Sequence, residues 1–411
     1  MDGVAEVDSE QYVVAVKIRY VLHNAYGTGG TIRTVVNQAN AMCEKHEVEV
    51  VSVYRSREAP VFALDPRVRL VTLTELREDG SRWTDPAGTN SRFWRKTRRF
   101  RTPLAHRHDF RYKRWDPLVE AAVIRYFRAQ RDGVLVTTRP ALNMLSAWFA
   151  PRRVVRVGQD HLNLGSYKPG LRAAILKAYQ RLDVVSVLTR ADLGEWEAAL
   201  PGVRIVRVAN GVPPRLGVPD GSDRSPTVLA AGRLNGQKGF DLLIEAFGRV
   251  HAEHPGWRLD IFGEGKLRAT LTAQIEEAGL AGTVRLRGLT RNLDAELDKA
   301  SVFALSSRRE GLPMVLLEAM AAGLPAVAFD CPTGPREVVE DGVNGLLVPA
   351  EDVEALATGL SKLIGDAALR ETMGHAAVTT GGRYAMPEIA AQWESIFAEL
   401  AGTRYPPPRP S

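Results

Sequence analysis

Two cysteines, Cys43 and Cys331, are all that a chain of 411 residues contains. They are too few for a disulfide framework and lack the paired spacing of a metal site, so a reducing compartment, the cytoplasm, is the expected setting. No apolar run approaches the roughly 18 residues needed to span a bilayer. The first ten residues are acidic and polar rather than basic and apolar, and are not expected to form a signal peptide. Internal repeats are absent. With 45% apolar and 25% charged residues the composition is that of a globular protein of two or three domains, which excludes disordered and fibrous classes.

What is present is an alternation of strand and helix. Val13 to Leu22 is a nearly continuous β-branched run, the pattern of a strand buried on both faces of a parallel sheet. The loop His23 to Gly30 follows, ending in Gly29 and Gly30, and Thr31 to Glu44 has a helical period. Strand, glycine loop and helix form an anion-binding arrangement, although the loop is no G-x-G-x-x-G fingerprint and such glycines also make plain turns. Further strands are expected at 48–53, 68–73, 134–137, 154–157, 184–188 and 204–208. Asp160 and His161 follow one of them, at the strand end where open α/β sheets bind ligands.

Ala209 to Pro226 breaks the pattern and reads as a linker. A second α/β unit starts at Thr227, whose first strand delivers Gly232-Arg233-Leu234-Asn235-Gly236-Gln237-Lys238-Gly239. Arg233 and Lys238 leave one strand end together, but the spacing is not that of a Walker A loop. Strands 259–262 and 284–286 end in loops carrying Gly263 and Arg287. Helices are expected at 353–364, 367–374 and 387–400, and a Pro-rich tail after them.

The stretch Ser306 to Pro349 carries the chemistry. The strand Val302 to Leu305 ends in a polar loop with Glu310, Gly311 and Leu312, and a helix is expected from Pro313 to Ala322, holding Glu318 in its second turn. The two carboxylates are offset along the helix axis by about 8 Å at a rise near 1.5 Å per residue. They cannot share one metal or one proton. They could accept hydrogen bonds from two hydroxyl-bearing parts of one ligand, with helix-terminal amides for an anionic part, which is the layout of a nucleotide sugar.

Glu310, seven residues, then Glu318, within EGLPMVLLEAMAAGLPAVA and followed by GPREVVEDGVNGLLVP, resembles the E-x7-E motif of retaining glycosyltransferases of family 4. The resemblance covers the chain and is strongest from Gly232 to Pro349. It implies the α/β GT-B fold, two doubly wound Rossmann-like domains facing each other across a cleft. The acceptor-side domain would be 11–210, with a last helix at 385–402 packing back on it, and 211–384 would bind the nucleotide-sugar donor. It further implies that Gly29, Gly30 and Gly263 approach the donor phosphates and that Gly232, Arg233 and Lys238 form a diphosphate clamp. The backbone around Arg287 would meet the base, Glu310 with Gly311 and Leu312 the sugar, Glu318 the ribose, and His161 the donor sugar from the other domain. No metal or other cofactor is expected, since the chain has no Asp-x-Asp and Arg233 with Lys238 supplies the positive charge. A GT-B phosphorylase and a catalytically silent sugar- or nucleotide-binding protein are the alternatives; Glu318 weighs against the first, since a phosphorylase has no ribose to bind.

One segment does not fit the simple alternation. Arg92 to Trp115 holds ten Lys or Arg against one acid, Asp109, so its charge exceeds the +6 of the whole chain. Aromatics are interleaved, among them Phe93, Trp94, Phe100, Phe110, Tyr112 and Trp115. The pattern is that of an interfacial segment that holds the chain to an anionic membrane, as a peripheral contact on its inner face, or to an anionic polymer or lipid acceptor. A solvated basic face with aromatics tucked into the domain is the alternative. No recognition motif accompanies the charge, so no nucleic-acid partner is expected.

Overall fold

The computed structural model of the chain describes residues 15–75, 102, 104–109, 112–215, 217, 224–290 and 292–404. Its first half runs β1 (Lys17–Leu22), α1 (Gly30–Met42), β2 (Glu47–Arg55), β3 (Arg69–Glu75), α2 (Pro117–Arg128), β4 (Val134–Thr138), α3 (Pro140–Phe149), β5 (Val155–Gln159), α4 (Pro169–Tyr179), β6 (Val184–Val187), α5 (Arg190–Ala199) and β7 (Arg204–Arg207). The seven strands are parallel, in the order β3-β2-β1-β4-β5-β6-β7. β4 and β5 are buried throughout because helices cover both faces of the sheet. Strand order reverses between β1 and β4, so their carboxyl ends flank a crevice.

The second half continues with β8 (Thr227–Ala231), α6 (Phe240–Glu253), β9 (Arg258–Phe262), α7 (Arg268–Glu277), β10 (Val284–Gly288), α8 (Leu293–Lys299), β11 (Val302–Leu305), α9 (Met314–Ala321), β12 (Ala326–Asp330), α10 (Pro335–Val338), β13 (Gly345–Pro349), α11 (Val353–Gly365), α12 (Ala367–Arg383) and α13 (Met386–Arg404). This sheet is also parallel, ordered β10-β9-β8-β11-β12-β13, and reverses between β8 and β11. The two doubly wound sheets turn their reversal points toward each other, which is the GT-B arrangement. Among the described residues no helix is long and apolar enough to cross a membrane.

The chain crosses between the halves twice, side by side. Val212 donates its amide to Tyr384 O at 2.9 Å and the Met386 amide donates to Val212 O at 2.7 Å. α13 then packs on α1 with Trp393 and Phe397 buried and stacked, and its outer face is tied by Lys45–Glu394 at 3.1 Å and by a two-toothed Arg204–Glu399 pair.

Several expected boundaries move. β5 extends to Gln159 instead of stopping at Val157, and α12 continues past Gly374 to Arg383. Gly374 is a packing contact, not a helix stop: a Cβ there would lie 2.8 Å from Gly323 O, and one at Gly381 would lie 2.6 Å from the Ala321 backbone. Small residues let α12 lie against the end of α9. Pro313 precedes the helix rather than opening it, with an extended ψ of 109°. β13 is a strand that the alternation did not single out. The start of the first unit at 11–14, residues 92–101 of the basic segment, and the tail from 405 lie outside the described residues.

Candidate active site

Two loops at the reversal point of the second sheet are laced together. The β8 loop contributes Gly232 to Gly239 and the β11 loop Ser306 to Leu312. The Arg308 amide donates to Gln237 O at 2.8 Å, Gln237 Nε2 donates to Arg309 O at 2.9 Å, and Ser306 Oγ donates to Lys238 O at 3.0 Å. Arg308 grips both carboxylate oxygens of Asp241 at 2.9 and 2.7 Å and donates to Gly236 O, which holds the Asp241 carboxyl below its usual range. With the backbones thus joined, Lys238 Nζ lies 2.5 Å from Glu310 Oε1, which also accepts from Ser307 Oγ at 2.6 Å. Arg233 is exposed and makes no ion pair among the described residues.

Gly263 needs to be glycine. Its φ is +142° and a Cβ would fall 1.8 Å from Gly232 O, so the β9 loop packs directly on the backbone beside Arg233. Gly29, at the start of α1 in the first domain, faces the same cation: a Cβ on it would lie 3.7 Å from an Arg233 guanidinium nitrogen. Gly30 abuts the Met314 side chain. The expected phosphate-side residues Gly29, Gly30, Gly232, Arg233, Lys238 and Gly263, together with Glu310, expected at the sugar, therefore border one crevice between the domains.

His161 meets this crevice from the first domain. Its carbonyl would be 2.5 Å from a Cβ at Gly311, so the domains touch there at backbone distance. Its Nε2 is buried without a hydrogen-bond partner, and burial pushes the imidazole down to about 3, assisted by Arg139, so the ring is neutral. Asp160 is a framework acid instead. It accepts from Tyr167 Oη at 2.6 Å, the Leu162 amide at 3.2 Å and Tyr179 Oη at 3.4 Å, and burial raises it to about 6. Leu312 contributes its carbonyl to Asn210 Nδ2 at 2.8 Å, while Thr34 Oγ1 of α1 donates to Asn210 Oδ1 at 3.0 Å. This asparagine of the linker ties α1 to the turn before α9.

Glu318 is buried on α9, separated from Glu310 by the helix start. Arg33 of α1 lies 2.9 Å from its Oε1. Burial lifts the Glu318 carboxyl to about 7 against the pull of Arg33. Two cavities adjoin this region on either side of α8. One, of about 330 Å³, is bounded by Pro213, Arg215, Asp294 and Glu318. The other, of about 560 Å³, is bounded by Phe262, Arg287, Leu289 and Thr290, with Arg287 over the Phe262 ring at 5.8 Å and Leu289 70% exposed.

The described end of the basic segment corrects one expectation. Trp115 is buried, donating to His23 Nε2 at 3.0 Å, and Asp109 accepts from the Ala141 amide at 3.2 Å, so this end is tucked into the domain rather than presenting an interfacial aromatic. Arg107, His108 and Lys113 remain exposed. Phe93, Trp94, Phe100 and Phe110 lie outside the described residues.

Sequence reasoning missed Arg33, Asn210, Ser307, Arg308 and Asp241. The last three sit beside residues it did select, in SSRRE and GFD, where a cation and an acid flank each loop. It also missed Glu337 of α10, which binds the first domain through Arg207 at 2.8 Å and the Arg190 amide at 3.2 Å.

Two parallel-sheet domains joined by a double crossing, with a cation-lined crevice at both reversal points, define a GT-B protein. The Glycosyl transferases group 1 pattern matches residues 219–379. The amylovoran biosynthesis glycosyltransferase AmsD of Erwinia amylovora is 30% identical over 286 residues, 67% of this chain and 80% of that one. An exopolysaccharide phosphotransferase of Streptomyces coelicolor is 35% identical over 403 residues; the match takes in 96% of this chain but 42% of that protein. The fold is similar to that of S. aureus TarM solved with UDP and alpha-GlcNAc-glycerol, with a TM-score of 0.74 at 15% identity over 93% of this chain and 99% of that one. The chain belongs to the group 1 glycosyl transferases.

Proposed function

We propose that the chain is a retaining glycosyltransferase of family 4 that moves a sugar from a nucleoside diphosphate onto an acceptor hydroxyl without a divalent ion. The observation that carries this reading is the convergence of Arg233 and the Lys238–Glu310 pair with Gly29 and His161 across one crevice. Arg233 and Lys238 receive the diphosphate, and Arg233 is the cation left free to do so. Glu310 and the neutral His161 meet the sugar hydroxyls, with the unpartnered His161 Nε2 available to one of them. Glu318 takes the ribose, and the cavity at Arg287 takes the base. In this scheme residues 11–210 are the acceptor-side unit and 211–384 the donor-binding unit.

In the reaction the bond from the anomeric carbon to the phosphate oxygen breaks and a bond from that carbon to the acceptor oxygen forms on the same face. The acceptor proton passes to the departing phosphate oxygen. Preorganised cations stabilise that developing charge in a site from which water is excluded. The acceptor is an anionic polymer or lipid drawn by the 92–115 segment at the inner face of the cytoplasmic membrane. The relative named for amylovoran biosynthesis supports a polymeric product, while the exopolysaccharide phosphotransferase is a protein more than twice this length. Turnover of a panel of nucleotide sugars, with the anomeric configuration of the first product read by NMR, tests the scheme. Retention is expected, and an inverted product would overturn it.

A further inference from the structure

α1 and α9 belong to different domains and run against each other at their first turns. Gly30 touches the Met314 side chain, Thr34 Oγ1 lies 3.5 Å from Met314 Sδ, and one turn further along α9 the Arg33 Nε lies 2.9 Å from Glu318 Oε1. Arg33 is held in place from its own side. Its amide donates to Gly29 O at 3.0 Å and its guanidinium lies 5.7 Å from the centre of the Phe62 ring. Glu318 has no such support. Its Oε1 makes the ion pair but accepts no aligned hydrogen bond, and its side chain is 5% exposed. A carboxylate in that position is costly unless a cation compensates it.

The charges that act on Glu318 come from three elements: Arg33 on α1, Asp294 on α8 and Arg215 of the linker. Asp294 opposes ionisation. Arg215 favours it but is engaged by Asp294 and Asp298, so it is already matched by two acids. Arg33 is the cation in contact with the carboxylate, and it comes from the other domain.

We propose that Arg33 is a positioning residue for donor binding, which reaches across the crevice to keep Glu318 a carboxylate, so that this acid is competent to receive a nucleoside only when the domains are closed. The inference rests on the reading that Glu318 meets the ribose. An ionised carboxyl offers about four acceptor sites, and the Arg33 contact, an ion pair without an aligned hydrogen bond, leaves them to a ligand; a protonated one spends an oxygen as a donor and pairs poorly with two hydroxyls. The 330 Å³ cavity beside Glu318 leaves the space that such a ligand needs. Domain closure and nucleoside recognition are thereby coupled through a single ion pair.

The sign follows from the direction of the shift. Glu318 is raised by burial to about 7, so its charged form, and with it nucleotide affinity, grows as pH rises through that value. Loss of the Arg33 charge moves the midpoint upward, and each unit is worth about tenfold in affinity below the midpoint.

The experiment is calorimetric titration of the intact chain from pH 5.5 to 9 with whichever of UDP, GDP, ADP or CDP binds most tightly at pH 8. Wild type, Arg33→Gln, Arg33→Lys, Glu318→Gln and Glu318→Ala are compared. Glu318→Gln records the background from titration of the nucleotide's own phosphate. For a shift of one unit, Arg33→Gln is expected to approach wild type at pH 9 and to bind about fivefold more weakly at pH 7, with Arg33→Lys close to wild type. Equal weakening by Arg33→Gln at every pH, or no weakening at pH 7, overturns the proposal. Unchanged affinity in both Glu318 variants instead overturns the ribose reading beneath it, so the two failures are distinguishable.

Discussion

Lys238 and Glu310, 72 positions apart in the chain, form an ion pair of 2.5 Å at the mouth of the interdomain crevice. The pair joins the residue that the proposed scheme gives to the diphosphate with the one it gives to the sugar, and it makes each the other's partner. The carboxylate holds the ammonium group where, in the proposed scheme, the diphosphate is received. Arg233, on the same loop, lies beside Gly29 and makes no ion pair among the described residues. One cation is restrained and one is free, and both lie at the carboxyl end of β8.

This arrangement predicts unequal costs for the two cations. Lys238→Ala and Arg233→Ala should each lower kcat by about 10²–10³-fold, the usual cost of removing one preorganised group that meets developing charge. Lys238→Ala should also lower Tm, because Glu310 is then left buried without its cation, whereas Arg233→Ala should leave Tm unchanged. Steady-state kinetics with thermal melts of both variants is the check. Full activity in either variant would remove that residue from the diphosphate site.

Gly311 and the His161 carbonyl approach so closely that a side chain at 311 cannot be accommodated without parting the domains. Gly311→Ala should therefore fold normally, since the glycine has no positive φ to lose, but should populate a more open form and lose activity. The expected loss is on the order of 10²-fold in kcat/KM, as for a reacting group displaced by about 1 Å. Small-angle scattering in saturating nucleotide reads the opening directly. A variant as compact and as active as wild type would show that this contact does not set the closed geometry.

How far the site could be read from sequence depended on whether its parts were local. The placement of Arg233, Lys238 and Glu310 in loops at one sheet edge was legible because each follows a buried strand, whereas Glu318 was singled out only by its spacing from Glu310, on the helix that follows. The strand orders that create the two reversal points are not fixed by that alternation and come from the fold itself. Arg33 was not legible: it is an ordinary cation on an amphipathic helix, and its role exists only because a second domain brings Glu318 to it. The Lys238–Glu310 pair was missed for the same reason, since only packing of β8 beside β11 aligns their loops. α12 was cut short at Gly374 because a glycine that lets two helices touch looks, in sequence, like one that ends a helix.

His161 is held neutral by burial, which lowers its pKa from the ordinary value near 6.5 to about 3, while in the unfolded chain it titrates near that ordinary value. Between those two values the unfolded state binds the extra proton, so the stability that His161 contributes is present above about 6.5 and is lost progressively as pH falls toward 3. Denaturant titrations from pH 7.5 to 4 should therefore show a steeper decline for wild type than for His161→Gln. Parallel curves would mean that the imidazole is hydrated and free to ionise in the folded protein.

Metal independence is a separate expectation. In the proposed scheme Arg233 and Lys238 bring two positive charges to the diphosphate, and the chain carries no Asp-x-Asp to bring a third. Transfer measured after dialysis against EDTA should equal transfer in magnesium or manganese. Abolition by the chelator with recovery on adding either ion would show that the clamp is incomplete without a cation from solution.

Glu310 and Glu318 should fail in different ways, because one faces Lys238 at the crevice and the other faces Arg33 within the domain contact. Glu318→Ala removes the acceptor for the ribose, so free nucleotide should bind more weakly and KM for the donor should rise. Glu310→Ala removes the sugar-facing acid and at the same time releases Lys238 from its only carboxylate partner among the described ion pairs. A freed ammonium group meets a diphosphate at least as well, so affinity for free nucleotide should be unchanged or higher while kcat falls. A mutation that lowers turnover without weakening the ground-state complex has removed an interaction used in the transition state, and that is the signature to look for. Calorimetry with free nucleotide and initial rates with the donor separate the two. Equal loss of nucleotide affinity in both variants would contradict the division, and would place Glu310 on the nucleotide rather than on the sugar.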